Sequence, residues 1–209
     1  GMHVFSTVTF QRASISITLA YLVLVASASL SATEISPHTS QMCDNAAVRA
    51  SKTSGIPVSV LRTITRVETG RRQHGSLLPW PWTINSEGAG QWFSDRKQAR
   101  DFAVERVALG LRSFDLGCFQ LNFRWHGSAF DSLDAMLDPD LSATYAAGFL
   151  KDLYLETGNW PAAAAAYHSR TPKYANRYRK KFEQVFAELD LRSDDQNAHE
   201  NITTAQAAV

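Results

Sequence analysis

A surplus of charge of either sign is missing from this 209-residue chain, in which 21 Lys and Arg stand against 20 Asp and Glu. Nucleic-acid binding rests on a basic surface that neutralises phosphates, so the balance argues against a nucleic-acid partner. Cysteine is nearly absent, with only Cys43 and Cys118. Neither has a second cysteine or paired histidines close by, so no zinc-ligand spacing is present, and neither a metal nor a cofactor is expected. No segment repeats another, which leaves a single globular domain with end segments as the reading that fits the length.

One long apolar run is present. Gly1 ahead of Met2 reads as a cloning scar; Arg12 then precedes Ile15 to Leu30, which fades into small residues around Ala26-Ser27-Ala28. This pattern predicts a signal peptide over residues 1–32 and export to the periplasm, with a retained membrane anchor as the alternative. In an exported protein an even cysteine count points to a Cys43–Cys118 disulfide, and two buried thiols are the alternative. Residues 33–189 carry a net charge of about +3, which suits an anionic polymer such as a cell wall. From residue 190 the chain is polar and acidic, and reads as a disordered tail. Such a tail either docks onto a scaffold protein or is idle.

Between these ends the periodicity is helical. Helices are predicted from about Gln41 to Ser54, Pro57 to Thr69, Ser94 to Leu109, Pro139 to Glu156, Trp160 to His168 and Pro172 to Leu191. Leu77 to Phe93 lacks a helical period; its prolines, tryptophans and Ser-Glu-Gly-Ala-Gly turn predict a loop and a short hairpin. Asp115 to Trp125 is a compact turn with one short element. The fold class is therefore mostly α, with one small β excursion.

Glu68 stands out. On a helix it shares a side with Val60, Leu61 and Ile64, so its carboxylate lies at the edge of an apolar face, where burial raises the pKa of a general acid. The alternative is a structural glutamate tied to Arg62, Arg71 or Arg72. Trp80, Trp82, Trp92 and Phe93 form an aromatic cluster suited to the apolar face of a sugar ring, or to capping the core. Gln120 and Asn122 share one side of an extended segment or flank a turn, and their amides can meet a sugar's polar groups. Tyr167 and His168 close an Ala-rich helix, from which the Tyr hydroxyl can reach a carboxylate or substrate. Asp115, ahead of Gly117, reads as a turn cap.

In order along the chain, Arg66-Val67-Glu68-Thr69-Gly70, Pro79-Trp80-Pro81-Trp82, Asp115-Leu116-Gly117-Cys118-Phe119-Gln120-Leu121-Asn122 and Ala165-Ala166-Tyr167-His168 resemble the soluble lytic transglycosylase (SLT) family of lysozyme-like enzymes. The Pro-Trp segment and the cysteine pair resemble a subgroup serving flagella or secretion systems. The resemblance implies an α+β lysozyme-like fold acting on peptidoglycan strands, with Glu68 as sole catalytic acid/base. It also implies a sugar groove that Gln120 and Asn122 line, and a Tyr167 that orients Glu68. Thr69 stands where many members have Ser, and His168 where many have Asn. The implied reaction cleaves the N-acetylmuramic acid–N-acetylglucosamine bond and leaves 1,6-anhydromuramyl ends. A muramidase on the same fold would need a second carboxylate, with Asp115 or Glu87 as candidates. A non-catalytic wall-binding protein is the third possibility.

Overall fold

The computed structural model describes residues 36–207, and of side chains those up to residue 192. The predicted signal segment lies outside the described residues. No helix among those described is long and apolar enough to cross a membrane.

Among the described residues the architecture is α-rich, with eight α-helices and two small antiparallel sheets. Helix α1 (Pro37–Ser54) stops at Gly55, whose φ of 78° is the left-handed conformation that a helix end favours. Helix α2 (Val58–Thr69) buries Val60, Leu61, Ile64 and Val67 along one side. It ends at Gly70 because the chain passes itself closely there: a Cβ at this position would lie 2.2 Å from the Arg66 carbonyl oxygen and 2.9 Å from the Leu77 side chain.

Two hairpins follow, where the sequence indicates one. Strands β1 (Arg71–Gln73) and β2 (Ser76–Leu78) pair around His74-Gly75, and β3 (Thr83–Ser86) and β4 (Ala89–Trp92) around Glu87-Gly88. All four turn residues have positive φ, as a two-residue type I′ turn requires. In both turns a non-glycine residue takes the first strained position, which weakens the signal in sequence.

Helix α3 (Arg96–Ala108) starts two residues after the predicted Ser94, because Asp95 caps it by accepting a hydrogen bond from the Gln98 amide. Strands β5 (Phe114–Leu116) and β6 (Leu121–Asn122) then complete a four-stranded sheet in the order β4-β3-β5-β6. Short α4 (Phe123–His126) and α5 (Leu133–Leu137) lead into α6 (Pro139–Thr157) and α7 (Trp160–His168), the latter capped by Asn159 as its sequence indicates. The last helix, α8 (Pro172–Ala207), runs on past Leu191, where the apolar face that marks it in the sequence ends.

The helices pack in a cycle: α1 against α6, α6 against α7, α7 against α8, α8 against α2 and α2 against α1. Leu61, Ile64, Leu150 and Phe182 fill this helical core, while Ile84, Phe114, Leu116 and Phe119 close it from the sheet side. A Cys43–Cys118 disulfide, with Cα atoms 5.6 Å apart, ties α1 to the β5–β6 turn. The sheet is thereby pinned beside the C-terminal end of α2.

Candidate active site

Strand period places one row of polar residues on the open face of the sheet. Asn85 on β3 pairs with Asp115 on β5, which pairs in turn with Asn122 on β6. The adjacent rows, Ser86 with Phe114 and Ile84 with Leu116 and Leu121, are buried. Alternation of side chains along each strand therefore sends the Asn85–Asp115–Asn122 row the other way, into a cleft of about 210 Å³. Glu68, Gln120, Tyr167 and His168 line the same cleft. A larger recess of about 410 Å³ lies elsewhere, beside Arg62 and Arg66, whose guanidinium groups are engaged with Asp44.

Glu68 comes from the last turn of α2. The Tyr178 hydroxyl, on α8, donates to its Oε1 at 2.6 Å. None of Arg62, Arg71 and Arg72 pairs with it: Arg62 and Arg66 hold Asp44, Arg72 binds Glu188 and Arg71 lies over the Trp92 ring. Burial pushes the Glu68 pKa up to about 7; the Tyr178 hydrogen bond opposes this, the nearby Asp115 adds to it and Lys181 opposes it. A carboxyl group with that pKa both gives and takes a proton near neutral pH.

The surroundings fix its position. Thr69, the next residue, is fully buried; its hydroxyl donates to the Thr65 carbonyl and accepts from the Trp80 amide. The Trp92 indole donates to the Thr69 carbonyl, and the Lys181 ammonium to that of Val67. The hydroxyl after Glu68 is thus a staple between α2 and the Pro-Trp loop, and does not face a ligand.

Two of the expected sugar-binding residues are placed otherwise. Trp80 and Trp82 are 4% and 7% exposed, and neither lines the cleft. The Trp80 indole N–H donates to the Phe93 carbonyl at 2.7 Å, so these rings close the core between the two hairpins. The exposed aromatic at the cleft is Trp125, 70% exposed, with the Arg124 guanidinium 5.1 Å from its ring.

Gln120 and Asn122 do reach the cleft. Gln120 sits in the β5–β6 turn with φ of 46°, and its side-chain amide donates to the carbonyls of Thr83 and Gly117, both at 2.9 Å. Both donor bonds are spent inside the protein, so its side-chain oxygen is what it has to offer a ligand. Asn122 caps α4 by accepting from the Arg124 amide, and donates to Asp115 Oδ1 at 2.8 Å. Asp115 is thus a cleft residue and not a turn cap; burial raises its pKa, while the Asn122 bond opposes this. Glu87 is exposed in the β3–β4 turn and away from the cleft, leaving Asp115 as the second carboxylate.

Tyr167 lines the cleft, but its hydroxyl donates to the Phe119 carbonyl at 2.7 Å, so the tyrosine bonded to Glu68 is Tyr178 instead. Its phenol is held well above the usual range by burial, with the Glu68 charge nearby. The exposed His168 ring stacks on Tyr178, with centroids 4.6 Å apart; partial desolvation, with Arg177 and Lys181 close, lowers its pKa.

Sequence reasoning did not assign Trp125, His126 or Phe149 to the cleft, weighed Asp115 for it only as a hydrolase's second carboxylate, and missed Tyr178, which does not line the cleft but bonds Glu68. Asp115 and Tyr178 could have been found. Asp115 is a charge between two apolar residues in extended chain, and alternation sends it to the opposite face. Tyr178 is a hydroxyl on the apolar face of its helix, and a buried hydroxyl needs a partner.

An α-rich domain with a small sheet, and a partly buried carboxyl group at the end of a helix facing a polar sheet row, is the arrangement that the sequence resemblance to lysozyme-like enzymes implies. Residues 96–189 match the family model of the transglycosylase SLT domain, a match consistent with the SLT family of the lysozyme-like superfamily. The match supports a transglycosylase class of enzyme acting on peptidoglycan. Nothing among curated proteins or solved structures matches the chain. Asp115, Gln120, Asn122, Tyr167 and Tyr178 fall inside the matched stretch and Glu68 precedes it, so the role of Glu68 rests on its geometry.

Proposed function

We propose that the protein is a lytic transglycosylase that cleaves the β-1,4 bond between N-acetylmuramic acid and N-acetylglucosamine, with Glu68 as general acid and then general base. The observation that carries this reading is the partly buried Glu68 carboxyl group, its pKa raised to about 7, held by Tyr178 at the wall of a polar cleft. In the first step Glu68 protonates the glycosidic oxygen. As the C1–O bond breaks, the muramyl N-acetyl oxygen bonds to C1. Glu68, now a carboxylate, takes the proton from the 6-hydroxyl of the same sugar. O6 closes on C1 and expels the acetyl oxygen, leaving a 1,6-anhydro end with no water consumed. The Gln120 side-chain oxygen, Asn85 and the exposed Trp125 ring supply a polar and stacking surface for the strand.

The reading places the enzyme in the periplasm, where it opens the wall locally. The setting implied by the sequence resemblance is assembly of a flagellum or secretion apparatus, with the polar C-terminal segment as the contact to a scaffold protein. A second reading, hydrolysis, is favoured by one observation: Asp115 lines the same cleft as Glu68.

The test is mass spectrometry of muropeptides released from peptidoglycan by the wild type and by Glu68→Gln. Anhydro ends are expected from the wild type, with at least a ~100-fold loss in the variant and an unchanged circular dichroism spectrum. Reducing ends, one water heavier, would assign hydrolysis. Substantial cleavage by Glu68→Gln would remove Glu68 from the chemistry altogether.

A further inference from the structure

One strongly charged patch lies outside the cleft, at the start of α8. Between Pro172 and Lys181 the chain carries Lys173, Arg177, Arg179, Lys180 and Lys181, and no acid. Helical spacing sorts these bases. Lys173 and Arg177 stand four residues apart, and Lys180 and Lys181 follow Arg177 by three and four, so the four share one side of the helix. All four are exposed. Arg179 falls outside this stripe and pairs with Glu183. Among the described residues no acid forms an ion pair with Lys173, Arg177, Lys180 or Lys181.

The stripe meets the cleft along one edge. The Lys181 ammonium donates to the Val67 carbonyl at 2.8 Å, one residue before Glu68, and keeps two further donors. His168 lines the cleft and stacks on Tyr178, the residue after Arg177. Arg177 and Lys181 both lie close enough to His168 to help lower its pKa. The two walls of the cleft therefore differ in charge. The sheet wall carries the Asp115 carboxylate, and the helix wall is bordered by bases that no acid answers.

That field acts on a ligand with anionic groups beyond the sugar rings themselves. Peptidoglycan has such groups: short peptides hang from the lactyl oxygen of its N-acetylmuramic acid units, and these stems carry carboxylates. A stem leaving the cleft is repelled by Asp115 and drawn towards the bases of α8. We propose, on the lytic reading given above, that Lys173, Arg177, Lys180 and Lys181 form an exosite that binds stem-peptide carboxylates and so draws peptide-bearing strands to Glu68.

The test combines Lys173→Gln, Arg177→Gln and Lys180→Gln in the full chain; Lys181 is kept because it holds the Val67 carbonyl. Soluble strands with acetylated stem amines are prepared in two forms, one with free stem carboxylates and one with these converted to carboxamides. Affinity is titrated by calorimetry in the Glu68→Gln background, where the strands are not cleaved. With the stripe intact, the carboxylate form is expected to bind about 10-fold more tightly than the carboxamide form at low salt. The triple variant is expected to keep less than about 3-fold of that preference and to bind the carboxamide form as before. In turnover with Glu68 restored, the triple substitution is expected to raise KM for the carboxylate form about 10-fold. Its kcat and its anhydro ends should not change, because these bases stand outside the reacting bonds.

Should the triple variant fold poorly, as circular dichroism would show, the intact stripe is tested by salt alone. Its preference for the carboxylate form is expected to fall at least about 3-fold between roughly 50 and 300 mM NaCl, with affinity for the carboxamide form constant. Equal affinity for the two forms would overturn the proposal. So would a preference that survives the triple substitution in a folded protein, an equal loss on both forms, or no binding of either. Stripe-dependent binding to vesicles of anionic phospholipid, without any preference between the strands, would overturn it in favour of a membrane surface. Cleavage that survives Glu68→Gln would instead sink the reading of Glu68, while the salt dependence of strand binding would still report on the stripe.

Discussion

At the scale of single residues, the site works through opposing influences on one carboxyl group. Burial favours the neutral Glu68, and the Asp115 charge adds to this; the hydrogen bond from Tyr178 and the charge of Lys181 favour the carboxylate. The balance near 7 leaves the group able to change its protonation twice in one turnover. Tyr178 is itself held well above its usual pKa, chiefly by burial and then by the Glu68 charge, so it remains a donor throughout. Tyr178→Phe removes a bond that stabilises the carboxylate, and the sign follows: the Glu68 pKa rises. A general acid is lost as pH climbs through its pKa, so the alkaline limb of the pH–rate profile is expected to move to higher pH than in the wild type. The maximum rate should fall, because Glu68 is no longer held in place. The measurement is initial rate of peptidoglycan solubilisation across pH 5–9. A limb that stays in place or moves to lower pH would show that Tyr178 does not tune the group that titrates.

At the scale of elements, the β5–β6 turn is where stability and function meet. Gly117 and Gln120 both adopt positive φ there, and the side chain of Gln120 bonds back onto the turn. Cys118, in the same turn, is tied across 75 residues to Cys43 on α1. Closing a loop of that length restricts the unfolded chain, a contribution of roughly 2–5 kcal/mol. Reduction, or Cys43→Ser with Cys118→Ser, is therefore expected to lower Tm by several degrees or more and to cut activity in step, since the turn also carries Asp115 and Asn122 at its flanks. Calorimetry and turnover with and without reductant measure both effects; an unchanged Tm would mean that packing alone holds the turn. The cysteine pair was legible in sequence from its even count in a chain read as exported, and the Ala-rich helix from Trp160 to His168 was legible in its bounds. The β1–β2 hairpin was not, because His74 occupies a turn position that Asn or Asp usually marks. Nor was the true use of Trp80 and Trp82: tryptophan looks alike in a core and in a sugar groove until its indole N–H has a partner, here the Phe93 carbonyl for Trp80.

At the scale of the molecule, the site is an agreement between distant parts of the chain: α2 supplies Glu68, the sheet supplies Asp115 and its neighbours, and α8 supplies Tyr178 and Lys181. Glu68 and Gln120 could be picked out locally because their residue types are unusual for their positions. For Tyr178 the sequence signals only that a hydroxyl on an apolar helix face needs a partner; that the partner is Glu68, 110 residues away, is visible only in the fold. The same geometry divides α8. Its first half carries Tyr178, Phe182 and Val185, all buried against the rest of the domain. Burying a side chain such as that of Phe182 contributes about 1.5–3 kcal/mol. Arg192 makes the last described contacts, with the Ser76 hydroxyl and the Gly75 carbonyl, and both partners lie at the β1–β2 turn rather than the cleft. A chain ending after Arg192 is therefore expected to keep wild-type kcat/KM on purified peptidoglycan and a stability within about 1 kcal/mol, as judged by urea unfolding, because Tyr178, Phe182, Val185 and the Arg192 contacts are all retained. Ending the chain before Tyr178 should abolish both folding and activity. If loss of the residues beyond Arg192 removed activity on purified strands, the distal part of α8 would be taking part in catalysis. If activity on strands survives and only wall remodelling in the cell is lost, that part of the helix serves a partner rather than the cleft.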